Sequence, residues 1–183
     1  MFVPRSRLIR PSRARRAAPR RRTEWLDFQI SNVGIAANTA SHQNISNSFA
    51  TALGLSNLAG FTVLTTFLQV AHSPDAAVPV GGSVRCRSAF VMQDNSLAGA
   101  AGDGPLSQPY RDWFGMSQLV IQNSTGGVAQ SRVGDSGGPE GQALWHFRSK
   151  RKFHDLTDAL FLITEADVAI HYTAMGRVLV SMP

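Results

Sequence analysis

Between Thr23 and Pro183 the chain is a succession of short β-prone runs, and this pattern limits its fold more than any other feature. SVRCRSAFVMQ, from Ser83, alternates cleanly: Val84, Cys86, Ser88, Phe90 and Met92 share one face, Arg85 and Arg87 the other. TEWLDFQI places Leu26, Phe28 and Ile30 on one side and Trp25 on the opposite one. GFTVLTTFLQVAH, from Gly60, is so rich in β-branched and aromatic residues that both its faces are apolar enough to be covered. MSQLVIQ, QALWHFRSK, DALFLITE and GRVLVSM are further strand candidates, most of them set apart by Gly- and Asp-rich joints. No segment keeps helical spacing beyond about three turns; short helices are expected only at Phe49–Leu58 and Pro109–Phe114. Ser31–Ser48 is polar and reads as loop, with at most a short strand inside it. About seven to nine short strands with turns between them specify an all-β sandwich or barrel, in one domain large enough for a sizeable core. The connection from Asp94 to Pro109 is long for such a domain, and loops of that kind are usually functional or intersubunit elements.

Charge divides the chain at Arg22. Residues 1–22 carry nine arginines (Arg5, Arg7, Arg10, Arg13, Arg15, Arg16, Arg20, Arg21 and Arg22) and no acid. Residues 23–183 carry nine Lys+Arg against twelve Asp+Glu. A mildly acidic body behind a polycationic segment can hold a polyanion through an arm while the body does something else. Its composition makes the arm flexible in expectation. An Arg-rich, acid-free segment also suits a transit peptide, but Pro4, Pro11 and Pro19 interrupt the amphipathic helix a transit peptide needs. A merely solvated tail is the plainest alternative. A second basic cluster, Arg148, Lys150, Arg151 and Lys152, ends the strand QALWHFRSK and holds both lysines of the chain. It either extends the same polyanion-binding surface or is a solvated strand end.

Other function classes find little support. Cys86 is the single cysteine, so the chain can form neither an internal disulfide nor a cysteine zinc cluster; it reads as a small core residue. His42, His72, His146, His154 and His171 are scattered without ligand spacing, so no metal and no cofactor is expected. No run approaches the length of a membrane helix, and the first residues lack the apolar segment of a secretory signal. Trp145 and Phe147 read as core residues rather than as a base-stacking platform.

One motif argues for catalysis. Gly134-Asp135-Ser136-Gly137-Gly138-Pro139 resembles the nucleophile loop of chymotrypsin-like serine proteases, an all-β family whose triad runs His, Asp, Ser along the chain. That resemblance implies His72 as base, Asp94 as its orienting acid and Ser136 as nucleophile. It includes proteases that are themselves capsid proteins, as in the alphaviruses, where a basic arm precedes this fold. The spacing opposes it: 64 residues separate His72 from Ser136, too few to finish one barrel and build most of another. The strand after the motif is bulky and then basic, where the family has small residues shaping a specificity pocket. Without a triad, GDSGGPEG is a glycine-rich bend whose Asp135 and Ser136 bond local backbone.

The whole arrangement of arm, β-body and the stretch Trp145–Ile163 resembles the small single jelly-roll coat proteins of simple icosahedral viruses, those with circular single-stranded DNA genomes above all. The resemblance implies an eight-stranded antiparallel jelly-roll sandwich over residues 23–183, with sheets BIDG and CHEF, behind a disordered arm of residues 1–22. It implies a structural, non-enzymatic capsid protein that assembles with copies of itself into an icosahedral shell inside the host cell and resides in the virion. Its other partner would be genomic nucleic acid, bound without sequence preference, and no membrane. Charged residues make up only 16% of the chain, which suits a body covered on several sides by neighbours.

Overall fold

The computed structural model describes residues 22–94, 104, 113–122, 130–133 and 142–183, with backbone alone at 93–94, 113–117, 122, 130–133 and 142–149. The elements are β1 (Thr23–Ile35), β2 (Thr39–Asn44), α1 (Ser46–Ala52), β3 (Thr62–Pro74), β4 (Ser83–Asp94), β5 (Trp113–Gln122), β6 (Gln130–Val133), β7 (Gln142–Lys152), β8 (Asp158–Ala166) and β9 (Ile170–Ser181). One sheet has the order β1-β9-β3-β7, the other β2-β8-β4-β5-β6, and every pairing is antiparallel. With β6 set aside as an added edge strand, these are the BIDG and CHEF orders of an eight-stranded jelly roll. The chain stays within one sheet only along β4-β5-β6 and changes sheets at every other connection.

Alternation decides which side chains meet between the sheets. Leu26 and Phe28 of β1 are buried, as are Leu68 and Val70 of β3 and Val178 and Val180 of β9. From the other sheet come Cys86 and Phe90 of β4, Leu119 and Ile121 of β5, and Leu160 and Leu162 of β8. Phe28 meets Phe90 edge to face across the sandwich (centroids 5.9 Å apart, 87° between planes), and Phe49 of α1 closes on Phe28 from one end. Each such side chain contributes on the order of 1.5–3 kcal/mol through burial. Cys86 is the core residue its alternation indicates: burial pushes its thiol up to about 12, and the Asp167 charge adds to the effect.

Three local expectations need correction. Ser31–Ser48 is mostly strand: β1 continues to Ile35 through a bulge at Asn32 (φ 51°), and a turn at Asn38 (φ 57°) leads into β2. Asparagine tolerates this left-handed backbone better than most residues. The first helix begins three residues before the expected Phe49, and Trp113 and Phe114 open β5 instead of ending a helix. The outer face of β4 is only half polar. Beyond Arg85 and Arg87 it carries Ala89 and Val91, buried with Phe161 and Ile163 of β8 in a second apolar cluster. Gly104, in the connection between β4 and β5, is buried so close to β8 that a side chain there would collide with the Glu165 carboxylate.

Candidate nucleic-acid interface

The register of the four-stranded sheet brings the start of β1, which follows the arginine-rich segment, and the second basic cluster to one end of it. Thr23 pairs with Ser181, Ser181 with Thr62, and Thr62 with Lys152. This single row crosses all four strands, so the residue after the arginine-rich segment and the last residue of the second cluster lie roughly 15 Å apart. Arg22 is held at the start of the row: its carbonyl accepts the Met182 N–H (2.9 Å), and its exposed guanidinium pairs with Glu24 at 3.2 Å. Arg5, Arg7, Arg10, Arg13, Arg15, Arg16, Arg20 and Arg21 lie outside the described residues.

Among the described residues β7 is the edge strand of this sheet, with a strand partner on one side alone. Its final residues are displaced by a bulge, with Arg148 paired to Thr65 and Arg151 to Val63. Lys150 and Lys152 are exposed, whereas Arg151 is half-buried with its Nε inside. Just past the cluster Phe153 is fully buried. It accepts the Gly60 N–H at 2.8 Å and donates to the Phe61 carbonyl at 2.9 Å, which anchors the end of the strand. The lysines therefore project from a fixed edge.

Sequence reasoning missed a third cation. Arg177 of β9 is exposed on the outward face of the same sheet, with its guanidinium carbon 4.7 Å from the Trp25 ring centroid and 5.1 Å from that of Phe67. The alternation of β1 does place Trp25 opposite the core. Nothing in GRVLVSM shows which strand will lie beside it, so only the register Asp27–Arg177–Phe67 assembles the group.

The residues of the protease motif do not come together where they can be followed. His72 stands two residues before the end of β3, paired with Tyr172. Asp94 ends β4 in the other sheet, paired with Asp158, eight residues along the strand from Cys86 at the His72 end. That is roughly 25 Å of extended chain. His72 is buried, neither ring nitrogen has a hydrogen-bond partner, and burial lowers its pKa to about 4. A general base needs an orienting acceptor and a pKa near the working pH, and this imidazole has neither. A histidine–aspartate pair does form between His171 Nδ1 and Asp75 Oδ1 (2.6 Å), at an exposed corner. Ser136 and the rest of Gly134–Pro139 lie outside the described residues. Among the described residues no group of three or more His, Cys, Asp or Glu side chains could hold a metal, and no helix is long and apolar enough to cross a membrane.

No protein-family model matches the sequence, and no curated protein matches it. Solved structures from three viruses are similar. One is of Desmodium yellow mottle tymovirus, at 16% identity and a TM-score of 0.39, covering 98% of this chain and 95% of that one. A second is the empty head of turnip yellow mosaic virus, at 11% identity and 0.38, covering 100% and 90%. A third is the Gx strain of infectious bursal disease virus, at 11% identity and 0.33, covering 89% of this chain and 33% of that one.

Proposed function

We propose that this chain is a structural capsid protein: residues 23–183 form a jelly-roll shell domain, and residues 1–22 are an arm that holds packaged genomic nucleic acid. The observation that carries the reading is the row Thr23–Ser181–Thr62–Lys152. Thr23, the residue after the arginine-rich segment, enters the BIDG sheet at the end where the chain's two lysines are exposed, which supports an arm and a cluster that act on one polyanion. Guanidinium groups hold phosphates bidentately without reading bases, which fits packaging of a genome irrespective of sequence. The body, mildly acidic over residues 23–183 as a whole, meets other copies without strong repulsion. In this reading the subunits close into an icosahedral shell inside the host cell, most like those of viruses with circular single-stranded DNA genomes. The shell needs no cofactor.

Electron microscopy of the purified chain, with its absorbance ratio at 260 and 280 nm, tests the reading. Uniform particles carrying nucleic acid are expected, and deletion of residues 1–22 should remove the nucleic acid. If all nine arginines engage phosphates, the logarithm of the binding constant should fall with log salt at a slope of about −6 to −8. A monomer that carries no nucleic acid at any salt concentration would overturn it.

A further inference from the structure

The outward face of the four-stranded sheet holds a second element that phosphate binding by the arm leaves unused. Two residues below the row Thr23–Ser181–Thr62–Lys152, and on the same face by alternation, Trp25 pairs with Leu179 and Leu179 with Thr65, itself the partner of Arg148. One row lower, Asp27, Arg177 and Phe67 are partners. The Trp25 and Phe67 rings stand 5.7 Å apart at 45°, and the Arg177 guanidinium lies against both. Trp25 is 41% exposed and Met175 46%, both on the face of the sheet turned away from the core. Below the rings opens a shallow cavity of about 580 Å³, lined by Asp27, Gln29, Phe67, Gln69, Met175 and Arg177. Among the described residues no carboxylate lies within ion-pair distance of Arg177.

We infer that this face is a stacking platform for the unpaired bases of a single-stranded nucleic acid. The Arg177 guanidinium lies over the half-exposed indole, so the stacked pair offers a base the outer plane of the guanidinium beside the exposed part of the indole, and Arg177 keeps donors for the adjoining phosphate. The Asp27 carboxylate and the Gln29 and Gln69 amides at the cavity edge suit the polar rim of a base without selecting one. Charge and connection favour this occupant over a second copy of the chain. Trp25 is three residues beyond Arg22, so a strand held by the arm passes within about 10 Å of the rings. Lys152 stands on the neighbouring row. The inference rests on the capsid reading and adds contact with bases to contact with phosphates.

The test is titration of the full chain with an oligothymidylate of about twenty nucleotides and with a duplex of equal length, followed by tryptophan fluorescence and by anisotropy of the labelled strand. The single strand should quench the emission. Trp25→Leu should weaken single-strand binding by about fivefold to a hundredfold, the effect of losing one stacked base, and leave duplex binding unchanged. Trp25→Phe, which keeps a ring, should restore most of the loss. Trp25 is exposed, so neither variant removes core packing. If Trp25→Leu binds the single strand as tightly as the parent while deletion of residues 1–22 abolishes binding, the platform is refuted and the arm stands. If Trp25→Leu prevents particle formation with strand binding undiminished, the face is a subunit contact and the inference is wrong. A full chain that binds neither strand nor duplex and forms no particle overturns the capsid reading together with the platform.

Discussion

His72 makes the stability of this fold depend on pH in a way that one substitution can isolate. The ring is buried on the inner side of β3, tilted at 33° against Tyr172 with centroids 6.3 Å apart, and neither nitrogen has a hydrogen-bond partner. Burial penalises the charged form, so the folded-state pKa falls from 6.5 to about 4. The unfolded chain therefore takes up the proton first as pH drops. The folded state loses ground from about pH 6.5 downward, and the loss levels off below about pH 4. At about pH 4.5 linkage puts this loss on the order of 2–3 kcal/mol, and at about pH 7.5 it is close to zero. His72→Leu fills a similar volume and removes both the titration and two unsatisfied ring nitrogens. At neutral pH the variant should be within about 1 kcal/mol of the parent or more stable. Urea unfolding of both proteins across this pH range, in the same state of assembly, measures the difference. The parent and the variant share every other ionisable group, so the growth of the gap belongs to His72. A gap that stays constant to within about 0.5 kcal/mol would mean that the imidazole is solvated or partnered, and the argument would fail.

Three further outcomes follow from the packing. Gly176→Ala should destabilise by about 2 kcal/mol or more in thermal melts, because the added Cβ would collide with the Phe67 carbonyl oxygen and lie 2.9 Å from the Phe28 ring. A fold that tolerates alanine there without loss would contradict the close crossing of β9 and β3. Cys86 should resist a thiol reagent at about pH 8 in the folded protein and react fully once unfolded, since its thiol is fully buried and pushed up to about 12. Glu165→Leu should cost about 1–2 kcal/mol in urea unfolding, because it leaves the half-buried Arg87 without the carboxylate that its guanidinium meets at 2.7 Å. The remaining bond from Arg87 Nε to Gln118 Oε1 (3.3 Å) tempers that loss, and a variant as stable as the parent would show the pair to be fully solvated.

Much of the architecture is legible residue by residue. The alternation in TEWLDFQI and SVRCRSAFVMQ places Leu26, Phe28, Cys86 and Phe90 in the core and Trp25 outside it, because a pleated strand with one covered face has a period of two. β2 escapes this reasoning. Its six residues, TASHQN, are all half-buried and hold no apolar side chain larger than alanine. They become a strand because the edge of β8 offers them six residues of backbone to pair with. β6, four residues added beyond β5, is likewise defined by its neighbour. The expected helix at Pro109–Phe114 fails at its end for the same reason, since Trp113 pairs with Val91 of β4.

The candidate interface divides along the same line. Composition alone sets apart the nine arginines of residues 1–22 and the cluster at 148–152, since charge density is a local property of the chain. The resemblance of Gly134–Pro139 to a protease nucleophile loop also implies a triad from His72, Asp94 and Ser136. The structure sends the first two to opposite ends of different sheets. What brings Arg22 toward Lys152, and Trp25 and Phe67 around Arg177, is the register of β1, β9, β3 and β7. These strands come from opposite ends of the chain, and β1 meets β9 across some 150 residues of intervening sequence. A strand's own residues decide which of its faces is apolar. The core shared by both sheets decides which strand lies beside it, and in what register.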